Sequence, residues 1–256
     1  MKRKLIAILS SAMLLVGMFG ISAAPVAAVC GTSLNQHIIV ARSADDSGIA
    51  GTYLKEVTGQ AYARTLDPVG CLTYGGTVVL PANIENTVSG SIWQLGYGTL
   101  ANGPLRFVYA MDTTYGRIWP STTYLPIVGH NYKFDIRTGT LEGFNANQVV
   151  MRITDTTAGT SSGYAFLSSY NWSSNNKLAW WGGERLSSLD DIGVDYGETS
   201  LILHHMGYRT DGMSVISYRS GMTSSDVKRV GSPPSNMHGH IVTWTYGADG
   251  LQLETH

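Results

Sequence analysis

Apolar residues recur at every second position along much of this chain, and no long helical period appears beyond its N-terminus. Val242, Trp244 and Tyr246 alternate with Thr243 and Thr245. Phe134 and Ile136 alternate with Lys133, Asp135 and Arg137. A side-chain period of two belongs to a strand with one face buried. β-Branched and aromatic residues fill these runs, and Gly, Asn, Asp and Pro bound them. Further strands are predicted at 77–80, 91–97, 105–111, 148–154, 163–169, 178–184, 199–206 and 213–218. About ten strands with turn-like links predict an all-β chain folded as an antiparallel β-sandwich. Residues 29–70 are the least regular part and are expected to form an N-terminal arm or extension ahead of a sandwich spanning 71–256. Residues 232–236, Ser-Pro-Pro-Ser-Asn, are expected as a surface loop.

The first 28 residues have the layout of a secretory signal peptide. Lys2, Arg3 and Lys4 form a basic start, Leu5 to Ile21 an apolar core, and Val26-Ala27-Ala28 a small-residue cleavage site. No later segment is long and apolar enough to span a bilayer as a helix. The expected location is therefore secreted and extracellular, with no membrane association once the signal is removed. Without those three cations, the 17 Lys+Arg become 14 against 18 Asp+Glu, a net charge of −4. Mild acidity argues against a nucleic-acid partner, which requires a basic stripe. Cys30 and Cys71 both follow the signal, and an even count in an exported chain implies one disulfide. It would close a loop of about forty residues and stabilise by roughly 3–4 kcal/mol. Oligomeric state is not legible at this level.

Two short strands carry the chemistry. Ile92-Trp93-Gln94-Leu95-Gly96-Tyr97 holds an amide, and Ala179-Trp180-Trp181-Gly182-Gly183-Glu184 ends in a carboxyl. Alternation puts Trp180, Gly182 and Glu184 on one face, opposite Trp181 and Gly183. It likewise sets Gln94 and Gly96 opposite Trp93 and Leu95. A carboxyl among aromatic rings and glycines is desolvated, which raises its pKa towards that of a working acid or base. If both strands line one sheet, the carboxyl can activate water and later protonate a leaving amine. The amide can position that water and donate to a developing oxyanion. Such a pair needs neither metal nor cofactor.

The glutamine strand resembles the catalytic-glutamine strand of the glutamic peptidases (eqolisins): an apolar pair, Gln, one residue, Gly, then an aromatic. The second strand resembles their catalytic-glutamate strand. Its Trp-Gly-Gly-Glu wording is similar also to the neprosin family, related β-sandwich peptidases that use two glutamates. Phe107-Val108-Tyr109, Gly129 to Phe134, and Val150 to Gly159 resemble the family's intervening strands in the same order. The likeness covers roughly residues 72–196. It implies a glutamic-peptidase-like (concanavalin-like) sandwich and an acid-active endopeptidase. Glu184 would be its general acid/base and Gln94 its water and oxyanion orienter. A protein or peptide substrate would be bound by Trp93, Tyr97, Tyr109, Trp180 and Trp181. Asp112 is the nearest match to the acidic residue usual in the family's aromatic strand. The segment at 83–90 is shorter than its eqolisin counterpart, and Gln94 stands where neprosin would carry its first glutamate.

Other chemistries are less well supported. His238-Gly239-His240 sets two imidazoles on one strand face, but no carboxylate lies at a ligand spacing. His204 and His205 are adjacent, so a regular strand would point them to opposite faces. No metal site is therefore expected. Asp190, Asp191 and Asp195 are too few for a calcium loop, and the one Gly-x-Ser-x-Gly run, Gly159 to Gly163, falls between two strand-like runs rather than before a helix, so it is not a nucleophile elbow. Trp93, Trp119, Trp172, Trp180, Trp181, Tyr97 and Tyr109 could stack on sugars. The non-enzymatic alternative is a catalytically silent sandwich that binds carbohydrate or peptide through an aromatic groove.

Overall fold

A computed structural model describes residues 37–42, 54–64, 76–86, 92–100, 104–111, 117–121, 123–145, 148–167, 177–185, 201–219, 227–230, 242–247 and 250–255. Their strands, in chain order, are β1 (His37–Arg42), β2 (Leu54–Tyr62), β3 (Gly76–Asn86), β4 (Ile92–Leu100), β5 (Arg106–Met111), β6 (Arg117–Pro120), β7 (Asn131–Thr138) and β8 (Gln148–Asp155). They continue with β9 (Thr160–Leu167), β10 (Lys177–Arg185), β11 (Leu201–Thr210), β12 (Ser217–Tyr218), β13 (Val227–Val230), β14 (Val242–Gly247) and β15 (Gly250–Thr255). A seven-stranded sheet runs β13-β1-β10-β3-β4-β5-β6. An eight-stranded sheet runs β14-β15-β11-β2-β7-β8-β9, with β12 paired to β11. The strands pair antiparallel throughout, as the alternation predicts.

The two sheets pack face to face on the alternating apolar residues. Trp93, Leu95 and Tyr97 of β4, Phe107 and Tyr109 of β5, and Ala179 and Trp181 of β10 meet the other sheet. Their partners include Val57 and Ala61 of β2, Tyr132, Phe134 and Ile136 of β7, and Met151 and Ile153 of β8. Burying one such large side chain contributes about 1.5–3 kcal/mol. Two hydrogen bonds cross the core. The indole of Trp181 donates to the Thr58 carbonyl at 2.7 Å, and the Tyr97 hydroxyl donates to the Tyr62 carbonyl at 2.8 Å. Buried indoles and phenols need such acceptors, and finding them on the facing sheet fixes how the two layers sit.

Residues 29–70 are not an arm where they are described. β1 pairs with β10 and β13, and β2 lies between β11 and β7 in the middle of its sheet. The outward positions of β2 are polar (Glu56, Thr58, Gln60) because that face carries ion pairs and amide contacts, and this masks the apolar period. Cys30 and Cys71, the signal segment and the loop at 232–236 lie outside the described residues.

β3 extends past Leu80, where a proline had marked the expected end. The register jumps between Val79 and Ala82 against β4 and between Leu80 and Asn83 against β10, so the chain bulges around Leu80-Pro81. Proline lacks a ladder donor and is tolerated at such a position. The extra residue reverses the alternation. Val79 faces the core and Leu80 faces out, yet Ala82 and Ile84 face the core again. The bulge also presses its carbonyls on neighbouring strands. A Cβ on Gly96 would run into the Val79 carbonyl oxygen, and one on Gly59 of the facing sheet into that of Pro81. Both positions are thereby restricted to glycine.

The outer face of the eight-stranded sheet is charged. Arg137 of β7 pairs with Glu56 of β2 at 3.4 Å and with Asp135 at 3.1 Å. A 3-10 turn (Gly139–Glu142) brings Glu142 onto both Arg137 and Arg152. Arg209 pairs with Glu56, and Lys133 with Asp135 at 3.0 Å.

Candidate active site

The candidate site lies on the outer face of the seven-stranded sheet. Trp93 and Leu95 point into the core, so Gln94 between them faces outward, yet only 6% of it is exposed. In register it stands opposite Asn83 of β3 on one side and Ala110 of β5 on the other. Asn83 in turn stands opposite Trp180 of β10. One row across the sheet therefore reads Trp180, Asn83, Gln94. Leu80, Val108 and Trp180, with Ile92, form an apolar cluster on this face.

Asn83 is fully buried, and its amide nitrogen donates to the carbonyls of Leu80, at 2.8 Å, and Trp180, at 3.1 Å. These bonds bridge the bulge and tie β3 to β10. The Asn83 Oδ1 acceptor and the Trp180 Nε1 donor are buried with no hydrogen-bond partner. Leaving a buried polar group unsatisfied costs about 1–3 kcal/mol. Both are unmet bonding groups in the row of Gln94, and each is buried rather than open on this face.

Glu184 lies two strands from Gln94. It pairs with Val78 of β3, which pairs with Gly98 of β4. Alternation along β10 assigns position 184 to the same face as Trp180. The register, however, does not set it beside Gln94. It lies four residues further along the strands, from Gln94 to Gly98, and two strands across. On a flat sheet that is about 13 Å by about 10 Å. Glu85 is nearer. It pairs with Ile92 one alternate position from Asn83, so it is the diagonal neighbour of Gln94, at a Cα separation of about 7–8 Å. Glu85 is half-buried on the same face. It lies in the segment read from sequence as a shortened loop. Only knowledge of the bulge would have turned it towards Gln94.

The remaining aromatic positions serve a different end. Trp93, Tyr97, Tyr109 and Trp181 face the inter-sheet core, 0–3% exposed, and do not wall a groove. Their odd numbers put them on the opposite face from Gln94, and the core takes large rings first. Burial pushes the phenols of Tyr97 and Tyr109 well above the ordinary tyrosine range, which keeps both neutral. Trp180 alone of the predicted substrate-binding rings shares the face of Gln94. Asp112 lies outside the described residues.

No protein-family model and no curated protein sequence matches this chain. Among solved structures, scytalido-glutamic peptidase with a transition state analog inhibitor is similar over 88% of this chain and 99% of its own, at 9% identity and a TM-score of 0.49. SCP-B, a member of the eqolisin family in complex with the tripeptide Ala-Ile-His, is similar over 88% and 99%, at 10% identity and a TM-score of 0.45. Aspergilloglutamic peptidase from Aspergillus niger covers 72% of this chain and 99% of its own, at 10% identity and a TM-score of 0.38. At this level of similarity no neighbour's activity transfers to this chain, and the sandwich is read from its own two sheets.

Proposed function

We propose that this chain is an exported, acid-active endopeptidase that hydrolyses peptide bonds with an amide and a carboxyl on the outer face of its seven-stranded sheet. One observation carries this reading. The glutamine strand and the Trp-Gly-Gly-Glu strand lie in the same sheet, separated only by β3, with positions 94 and 184 assigned to the same face. The carboxylate takes a proton from water as the oxygen attacks the peptide carbonyl. Gln94 donates to the oxyanion that forms. The protonated carboxyl then gives its proton to the departing nitrogen as the C–N bond breaks. Glu184 is the carboxyl that the sequence resemblance assigns, and Glu85 is the competitor that the register supplies.

Digestion of casein and a peptide library from about pH 3 to about pH 7, a range that spans an acid-limb bell, tests the proposal. Wild type is compared with Gln94→Ala, Glu184→Gln and Glu85→Gln. Loss of cleavage in Gln94→Ala and in one carboxyl variant supports the mechanism and names the carboxyl. Retained cleavage in all three removes it. Export and a Cys30–Cys71 bridge belong to the same reading. Intact mass after alkylation without reductant should show both thiols protected, and two labelled cysteines would exclude the bridge.

A binding role has one observation of its own. A cleft of about 310 Å³ on the eight-stranded sheet is lined by Phe144, Tyr164, Arg152, Ser161 and Ser162. The exposed Phe144 ring beside the Ser161 hydroxyl and the Arg152 guanidinium suits a sugar better than the buried tryptophans do, whereas the Tyr164 ring packs edge-on to Tyr109 at 4.9 Å. Calorimetry with oligosaccharides against Phe144→Ala tests it, and equal binding by the variant rejects it.

A further inference from the structure

A regular strand would keep His204 and His205 apart, but β11 is not regular there. Its register against β2 jumps between His204 and Gly207, so β11 carries one residue more than β2. His205 adopts a left-handed backbone, with φ of 49°, the one positive φ outside glycine among the described residues. Such a conformation costs of order 1–3 kcal/mol for most residues, and histidine is among those that tolerate it best. The expectation of opposite faces is thus overturned. The two rings meet edge to face at 5.0 Å, with Nδ1 to Nδ1 at 2.7 Å.

One placement of the protons satisfies the described contacts. Asn131 donates through Nδ2 to Gln60 Oε1 at 2.9 Å, which leaves its Oδ1 turned to His204 Nε2 at 3.0 Å. His204 therefore carries its proton on Nε2, and its Nδ1 presents a lone pair. His205 must then donate from Nδ1. Tyr62 stacks on the His204 ring at 5.2 Å, and Tyr218 meets His205 edge-on at 6.0 Å. His204 is 2% exposed, whereas His205 is partly open to solvent. An imidazole whose far N–H is held by a carbonyl oxygen, with its near nitrogen turned to a second imidazole, is the arrangement of a metal-ligating histidine.

We propose that this bulge is a two-imidazole site for a divalent cation that favours nitrogen ligands, such as Zn²⁺ or Ni²⁺. The cation takes the place of the proton shared by the two Nδ1 atoms. On loading, His205 moves that proton to Nε2, so both Nδ1 lone pairs face the metal and the neutral pair loses no net proton. Metal–nitrogen bonds of about 2.0–2.1 Å at ordinary angles need the two nitrogens roughly 3 Å apart, so the rings open by only a few tenths of an ångström. Water completes the shell from the His205 side. The site is on the other sheet from Gln94 and does not depend on peptidase activity.

Calorimetry with Ni²⁺ alone, and then Zn²⁺ alone, tests the proposal on the full exported chain. The variants are His204→Gln, His205→Asn, His130→Gln and a His238→Gln/His240→Gln double substitution. Asn tolerates the left-handed backbone, so His205→Asn keeps the bulge while removing the imidazole. Circular dichroism confirms that each variant folds. The expected result is one bound equivalent in wild type, weakened at least tenfold in His205→Asn and in folded His204→Gln, and unchanged in the other two. The proposal falls if His205→Asn binds like wild type, if binding disappears instead in the double variant, or if wild type takes up no metal.

Discussion

The outer faces of the two sheets treat buried polar groups in opposite ways. On the eight-stranded sheet the groups are charged and ion-paired: Glu56, Asp135 and Glu142 each meet at least one guanidinium, although Glu56, Asp135, Arg137 and Arg209 each keep one atom without a hydrogen bond. On the seven-stranded sheet the described polar groups of the Gln94 row are neutral, and two of them lack partners: the Asn83 acceptor and the Trp180 donor. Paired charges hold a fold in one arrangement, and their desolvation cost is met within the protein. An unmatched donor and acceptor lower stability in the free protein and are matched only when something arrives. The contrast separates a charged, ion-paired face from a neutral one whose unmet groups lie in the row of Gln94.

The largest expected effect breaks the comparison at Gln94. Gln94→Ala should lower turnover by about 10²–10³, the usual loss of one oxyanion donor, with little change in melting temperature. Peptide cleavage rates beside a melting curve check it, and an equal loss of stability would place Gln94 with the structural groups. The reverse pattern is expected at Arg137. Arg137→Met removes one cation each from Glu56 and Asp135, both 1–2% exposed, which keep Arg209 and Lys133, and should cost about 1.5–3 kcal/mol in chemical denaturation. Specific activity per folded molecule should stay at the wild-type value. A drop in that activity would show that the charged face also serves the reaction.

Asn83→Ala sharpens the contrast. It removes the two bonds that bridge the β3 bulge and should cost about 1–3 kcal/mol. If the free Oδ1 serves a substrate, KM should rise beyond what the lost stability explains. Unchanged KM would confine Asn83 to holding the bulge.

The smallest effect concerns acid. Burial pushes the Asp155 carboxyl up, but hydrogen bonds from His130, from the Ala158 backbone and from Tyr132 outweigh it, and its pKa lies below the ordinary value. His130 Nδ1 sits 2.8 Å away, and the Thr157 and Ala158 amides also donate to it. Asp155 therefore contributes stability that is fully present above the unfolded pKa of about 3.9 and fades as pH falls through the lowered folded value. Asp155→Asn should melt below wild type at neutral pH, with the gap closing only under strongly acid conditions. A gap that is constant with pH would mean that the carboxylate charge is not what matters.

Much of the sandwich was legible because its core strands write their faces plainly. β4 and β7 alternate aromatic or branched residues with polar residues or glycine. β2 was not legible, since its outward Glu56, Thr58 and Gln60 are buried by partners that lie far away in sequence. The identity of Gln94 as a site residue was visible, but its neighbours were not. Asn83 and Glu85 join it only through register, and register depends on a bulge at Leu80-Pro81 that reads locally as a strand end. The meeting of His204 and His205 was hidden for the same reason, because one extra residue in β11 undoes the period on which face assignments rest.

The β3 bulge sets different terms for change in residue type and change in length. Substitution at Glu85 alters one half-buried group, and substitution at Asn83 removes two hydrogen bonds but leaves the register in place. Deletion of a single residue at Leu80-Pro81 would restore the regular alternation, send Asn83 and Glu85 inward and turn Ala82 and Ile84 out. That places an unpaired carboxyl between two layers of aromatic rings. Over an evolutionary history this strand is therefore held more tightly in length than in residue type, and gaps between this chain and its relatives should avoid the bulge at 79–82.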